Sequence, residues 1–240
     1  MATLHDIQKR ITSVTATHQI TSTMEMISRT KIKRAKRRVD RAEPYAREMR
    51  KLLTVLSDPN GEPVALATPH DSVRKVVLVV ITSDRGLAGQ FNNNILQLAQ
   101  RTLKKYEQRE CQVEIIACGK VGINYFTYRG YKPVIAFRDL SGDPRPEEAD
   151  TIADYLVDAY LSGTIDEVYA FYNHSKNLYE QVPAMWKIMP INMNMFFEQR
   201  MAGNAQGIAD QDPQLKQLQG YINYEPSREA VLSKLLPDYL

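Results

Sequence analysis

From Ala2 to Ser57 the chain contains no glycine and one proline, Pro44. The stretch is rich in Arg, Lys, Glu, Met, Leu and Ala, all good helix formers. Its apolar residues follow an alternating 3–4 spacing. Leu4, Ile7, Ile11 and Val14 open the series, and Ile32, Ala35, Val39, Ala42, Ala46, Met49, Leu53 and Leu56 close it. Between them the same spacing falls on four polar residues, His18, Thr21, Glu25 and Ser28. Across that gap the apolar stripe moves sideways to Ile20, Met24 and Ile27. A heptad seam with a phase shift predicts one long helix of the coiled-coil-forming kind. At 1.5 Å per residue it would run about 80 Å, so much of it is expected to project beyond any compact domain. Pro44 should kink or divide the helix, and the register that continues past it favours a kink. Asp58-Pro59-Asn60-Gly61 supplies turn residues to end it.

A seam of this kind needs a partner helix. A hairpin within the chain would be the simplest solution, yet no later segment has comparable length and pattern. The one candidate begins at Ser227 and reaches Leu240, where the sequence stops.

Charge is unevenly distributed. The net charge of the 240 residues is only +3. Residues 1–57 hold thirteen Lys/Arg against five Asp/Glu, a balance of +8, leaving −5 for the remainder. Such asymmetry suggests that the two parts do different physical work. The densest cluster is Arg29, Lys31, Lys33, Arg34, Lys36, Arg37, Arg38 and Arg41, offset by one acid, Asp40. It could contact a phosphate backbone, meet an acidic protein or form a solvated helix face. Tyr45 is the one aromatic residue in the helix, so there is little of the aromatic interleaving that nucleic-acid binding would favour.

The rest of the chain reads as α/β. Arg74–Thr82 is an apolar run suited to a strand buried on both faces. A turn follows at Ser83-Asp84-Arg85-Gly86-Leu87-Ala88-Gly89, then a helix with Ile95, Leu98, Ala99, Leu103 and Tyr106 on one face. Further strands are expected at Gln112–Cys118, Pro133–Phe137 and Asp166–Tyr172, with helices over Val121–Tyr128 and Glu147–Leu161. Alternation of this type predicts a mainly parallel, Rossmann-like doubly wound sheet. Gln199–Gln219 reads as a mobile loop and Gly220–Glu225 as an edge strand. The expected divisions are therefore residues 1–57 as the basic stalk helix, 73–226 as the α/β domain, and 227–240 as the start of a final helix.

Signs of catalysis are weak. The strand–turn–helix at 74–106 invites a nucleotide-binding reading, but neither G-x-G-x-x-G nor G-x-x-x-x-G-K-[ST] occurs. His5, His18, His70 and His174 form no H-x-x-x-H pair, and Cys111 and Cys118 lack zinc-ligand spacing. Cys118 ends a core strand and reads as a small buried hydrophobe. There is no G-x-S-x-G elbow. Trp186 reads as a packing residue. Two cysteines cannot form a disulfide framework, so a reducing compartment is the default. No apolar run approaches the roughly 20 residues of a membrane span, and Met1–Leu4 leads directly into charged helix with no apolar leader. No cofactor or metal is expected. A scaffold with a long helical arm fits these residues better than an enzyme does.

Several segments, taken in order, resemble one family. Ile7–Lys36, with spaced isoleucines, Q-I-T, M-E-M and a basic stretch, is similar to the opening of F-type ATP synthase gamma subunits. Pro44-Tyr45-Ala46 with Met49-Arg50 resembles the end of their first helix. Thr82-Ser83-Asp84-Arg85-Gly86-Leu87-Ala88-Gly89 with Asn92 resembles their T-S-D-R-G-L-(C/A)-G-G-x-N motif. Gln181-Val182-Pro183 and Tyr224-Glu225-Pro226 also fall where that family has similar residues. Gln90-Phe91 departs from a commoner Gly-Leu pair.

The resemblance implies a non-catalytic rotor stalk that couples ion-driven rotation of a membrane ring to ATP synthesis or hydrolysis in surrounding subunits. The implied partners are the catalytic-ring alpha and beta subunits, the epsilon subunit and the membrane c-ring, with no nucleic acid and no direct membrane span. The implied location is peripheral, at the cytoplasmic face of the cell membrane. Met24, Ile27, Arg29, Lys31, Lys33, Arg34, Arg37, Arg38, Asp84, Arg85 and Gly86 would be partner-binding. The family's second long helix pairs with the first, whereas this sequence holds only its beginning at 227–240. Ile7, Ile11, Val14, Ile20, Met24 and Ile27 should then lie exposed. The alternatives are a nucleic-acid-binding protein using helix 29–41 and a small nucleotide-using α/β enzyme.

Overall fold

The computed structural model describes residues 3–58, 61–140, 144–177, 180–195, 224–225 and 227–239. Two compact units result, Met1–Met49 and Arg50–Leu240.

The first unit is helical. Helix α1 runs without a break from Leu4 to Leu56 and passes through Pro44, so the proline does not divide it. At its start the Thr3 backbone amide donates to the Asp6 carboxylate at 3.0 Å, and the Asp6 amide returns to the Thr3 hydroxyl at 3.3 Å. This reciprocal cap satisfies amides that have no partner inside the helix. The polar gap in the seam has a local explanation. Thr12, Thr17, Thr21, Thr23, Ser28 and Thr30 each donate the side-chain hydroxyl to the carbonyl four residues earlier, at 2.6–3.1 Å. Hydroxyls satisfied in this way need no partner from elsewhere. Thr21 and Ser28, two of the four interruptions, therefore place polar residues on the seam without leaving their hydroxyls unpaired.

The second unit is a three-layer α/β body. Its strands are β1 (Lys75–Ile81), β2 (Gln112–Cys118), β3 (Ile135–Phe137), β4 (Glu167–Ser175) and β5 (Gln181–Met189). The sheet order is β3-β2-β1-β4-β5. The first four strands are mutually parallel and β5 runs antiparallel to β4. Helices α2 (Phe91–Glu107) and α3 (Lys120–Tyr128) cover one face. Val76, Leu78 and Val80 there form one cluster with Ile95, Ala99, Leu103 and Phe126. Helix α4 (Pro146–Leu161) lies on the other face, where its Tyr155 hydroxyl donates to Glu114 of β2 at 2.7 Å. Helix α5 (Arg228–Tyr239) buries Leu232 and Leu236. The order in which strands are added reverses at β1, because β2 and β3 lie on one side of it and β4 on the other.

The expected strands and helices between 74 and 172 all form, with ends shifted by a few residues at most. Strand β5 was not expected. Pro183 lies inside it, and proline is tolerated because β5 is a sheet edge. Trp186, read as packing, sits on this strand and is 46% exposed. Cys118 is buried, and burial pushes its thiol up to about 11, in keeping with an inert core position. The mobile loop expected at Gln199–Gln219 lies outside the described residues, as does most of the edge strand expected at Gly220–Glu225.

Candidate functional site

Two candidate surfaces emerge, one in each unit. On α1, Arg29, Lys31, Lys33, Arg34, Lys36, Arg37, Arg38 and Arg41 are all exposed. A helix turns about 100° per residue, which spreads these eight side chains over about 220° of its circumference. Ile32, Ala35, Val39 and Ala42 occupy the remaining sector. The helix thus separates a broad cationic face from a narrow apolar seam. Among the cations, Arg29 pairs with Glu25 one turn earlier at 2.7 Å. Met24 and Ile27 lie just upstream, where the stripe shifts. Ile7, Ile11, Val14, Ile20, Met24 and Ile27 are 48–63% exposed, as expected of a seam with no partner helix among the described residues. An apolar stripe this long, bordered by charge, has the character of an association surface.

The second surface is the loop that follows β1 at the carboxyl edge of the sheet. Its base is tightly held. The Thr82 hydroxyl donates to the Cys118 carbonyl at 3.1 Å and accepts the Gly122 amide at 2.9 Å. The Ser83 amide donates to the Asn92 side-chain oxygen at 2.9 Å, which ties the strand end to the first turn of α2. The Ser83 hydroxyl donates to the Arg85 carbonyl at 2.6 Å. Asp84 reaches sideways: its Oδ1 accepts the Lys120 amide at 2.9 Å and the Asp139 amide at 2.8 Å.

Asp84, Arg85 and Gly86 therefore divide the work. The Asp84 carboxylate turns inward and holds the loop to α3 and to the segment after β3. Arg85 and Gly86 are exposed at the tip. Beside them Leu87 is 98% exposed and has a φ of +58°, a conformation that leucine rarely adopts. A braced base presenting a cation and a bare leucine suits contact with another molecule better than chemistry on a small substrate. Gly89, with φ of +54°, supplies the second left-handed residue that the turn needs. The inward role of Asp84 had no sequence signal, because its partners lie 36 and 55 residues downstream.

The described residues contain no group of three or more His, Cys, Asp or Glu able to hold a metal ion, and no helix long and apolar enough to cross a membrane.

Comparison with known proteins bears on the whole chain. The family model for ATP synthase matches residues 3–240. The ATP synthase gamma chain of Syntrophobacter fumaroxidans is 33% identical over 242 residues, covering 100% of this chain and 78% of the relative. The gamma chain of Chloroherpeton thalassium is 34% identical, again over 100% of this chain and 78% of the relative. Among solved structures, a central-stalk and c-ring chain of the Tetrahymena thermophila mitochondrial ATP synthase superposes with a TM-score of 0.56. It is 19% identical and covers 92% of this chain and 87% of its own, a likeness of fold.

Proposed function

The chain belongs to the ATP synthase gamma-chain family, and from that membership we propose that it serves as the non-catalytic central-stalk subunit of an F-type ATP synthase. The observation that carries this reading is family similarity over the whole chain, at 33–34% identity. The proposed divisions are a stalk helix over 1–57, an α/β body over 73–226 and a further helix within 227–240.

In this role α1 lies within the ring of alpha and beta subunits. The ring is a set of sites that exchange between conformations. A surface that contacts each site differently biases it, and turning that surface moves the bias from site to site. The residues of α1 suit a moving contact. Arg29, Lys31, Lys33, Arg34, Arg37 and Arg38 act at a distance on acidic partners, and such attraction does not require interlocked side chains. Met24 and Ile27 give the apolar part of the contact where the seam shifts. Arg85 and Gly86, held out by Asp84, form a separate contact on the body. The body attaches to the epsilon subunit and the c-ring, which places the chain peripherally at the cytoplasmic face of the membrane. Nucleotide chemistry takes place on the ring subunits. The nucleic-acid reading of helix 29–41 gains nothing from the comparisons.

Assembly tests the proposal. The chain is mixed with purified alpha and beta subunits of a bacterial F-type synthase and analysed by size exclusion. It should co-elute with them in a complex that hydrolyses MgATP. A variant with Arg34, Arg37 and Arg38 changed to Gln should associate more weakly and lose salt dependence. Elution of the chain apart from the ring subunits, with salt-sensitive binding to duplex DNA instead, would overturn it.

A further inference from the structure

At the carboxyl end of α1, far from both surfaces in sequence, the Arg228 side chain is 13% exposed. Its Nε donates to the Leu56 carbonyl at 2.9 Å. Its Nη2 and Nη1 donate to the carbonyls of Asp58 and Glu62, each at 3.4 Å. The last carbonyls of a helix have no partner within it and carry the negative end of its dipole. A planar cation with several fixed donors answers both needs at once. Gly61 comes close to this group. A Cβ added to Gly61 would lie 2.4 Å from Nη1 and 2.8 Å from Cζ, so any side chain there displaces the guanidinium.

Arg228 is also the first residue of α5, whose start is capped by the Ser227 hydroxyl accepting the Ala230 amide at 3.2 Å. Eleven residues on, Tyr239 lies within electrostatic reach of Arg50. One end of α5 is thus held at Leu56 and the other comes within electrostatic reach of Arg50, while the helix between them packs on α4 and on the short helical turn Ala65–Ala67. Leu53, Leu56, Leu232 and Leu236 are buried in the same unit.

We propose that Arg228 is the positioning residue that ties the start of α5 to the end of α1, so that the end of α1, Asp58, Glu62 and α5 move as one piece when the stalk turns. The claim rests on the rotor-stalk reading and deepens it. Apolar packing alone allows two helices to slide or roll. A three-pronged anchor on one helix end does not.

Two substitutions probe the clamp from opposite sides. Arg228→Met removes the donors and keeps an unbranched apolar stem, while Gly61→Val keeps the arginine but crowds its guanidinium out of position. In the isolated full chain, both should speed amide exchange of residues 50–56 and 229–236 by about fivefold or more while β1 and β2 keep their protection. Arg228→Lys, a point charge without the fork, should fall between them and wild type. In synthase reconstituted into vesicles, both variants should keep MgATP hydrolysis and lose at least about half of the ions pumped per ATP. Unchanged exchange in both variants overturns the clamp, as does unchanged pumping per ATP. Failure of the wild-type chain to assemble would count against the rotor reading instead, and the exchange measurement would still decide the clamp.

Discussion

Asp84 accepts the backbone amide of Lys120 at 2.9 Å, and so caps a helix that begins 36 residues further along the chain. The N-cap of α3 is Gly119, which has no side chain to do this itself. The same Asp84 oxygen accepts the amide of Asp139, so one carboxylate closes the carboxyl edge of three neighbouring strands. Asp84→Ala leaves two amides to find water and removes a negative charge from a helix start. It should cost about 1–3 kcal/mol in urea unfolding of the free chain. Asp84→Asn keeps an acceptor and should cost less. Equal stability of all three proteins would show that the carboxylate does not brace the loop.

Two glycines near this loop should behave in opposite ways. Gly119 has φ of +101°, and a Cβ there would lie 2.3 Å from the Thr82 carbonyl oxygen. Gly119→Ala should therefore destabilise the body by about 2–4 kcal/mol, through backbone strain and a clash with main chain. Gly86 has no atom within 4 Å of where a Cβ would sit. Gly86→Ala should leave the melting temperature of the free chain unchanged within error. If it nonetheless weakens assembly, the requirement for glycine comes from a partner that approaches closely.

Acid should unfold the body through two adjacent carboxylates. Burial pushes Asp166 up, but amides of Arg74 and Lys75 and a contact to His70 outweigh it and leave Asp166 below its ordinary 3.8. Burial likewise raises Glu167, while Lys187 and the hydroxyls of Tyr106 and Tyr169 outweigh it and leave Glu167 below 4.5. Both are more acidic folded than unfolded. Their stabilisation is complete above those ordinary values and disappears as pH falls through the folded ones. Asp166→Asn should be less stable than wild type at neutral pH, by about 1–3 kcal/mol, yet lose less stability between about pH 5 and pH 3. A parallel acid limb in wild type and in both Asp166→Asn and Glu167→Gln would refute this.

The seam of α1 should be the first part of the free chain to open. Its apolar residues from Leu4 to Val39 are exposed, so little tertiary packing supports the helix there. Trypsin should cut among Arg29, Lys31, Lys33 and Arg34 well before it cuts α2 or α3. Addition of ring subunits should protect those bonds. Cleavage of the sheet domain at the same rate would contradict the assignment of exposure to α1.

What could be read from the amino acids divides along one line. Features written in neighbouring residues were legible. The glycine-free heptad run pointed to α1, and the apolar run at Arg74–Thr82 to a strand buried on both faces. Apolar periodicity at Ile95, Ala99, Leu103 and Tyr106 gave α2. Features made by contact across the chain were not. Arg228 reaches back 172 residues to Leu56. Strand β5 forms because β4 offers it an edge, and Pro183 obscured its pattern. At the loop, Ser83, Arg85 and Asn92 could be matched to a motif, but the inward turn of Asp84 became visible only when Lys120 and Asp139 were brought beside it.

The most direct test is rotation. The chain, biotinylated at Gln97→Cys on the exposed side of α2, is assembled with immobilised alpha and beta subunits and a bead is attached. With MgATP the bead should turn steadily in one direction, and rotation should stop when ATP is exhausted. Assembly that hydrolyses ATP while the bead shows only undirected motion would contradict a role for this chain as the rotating stalk.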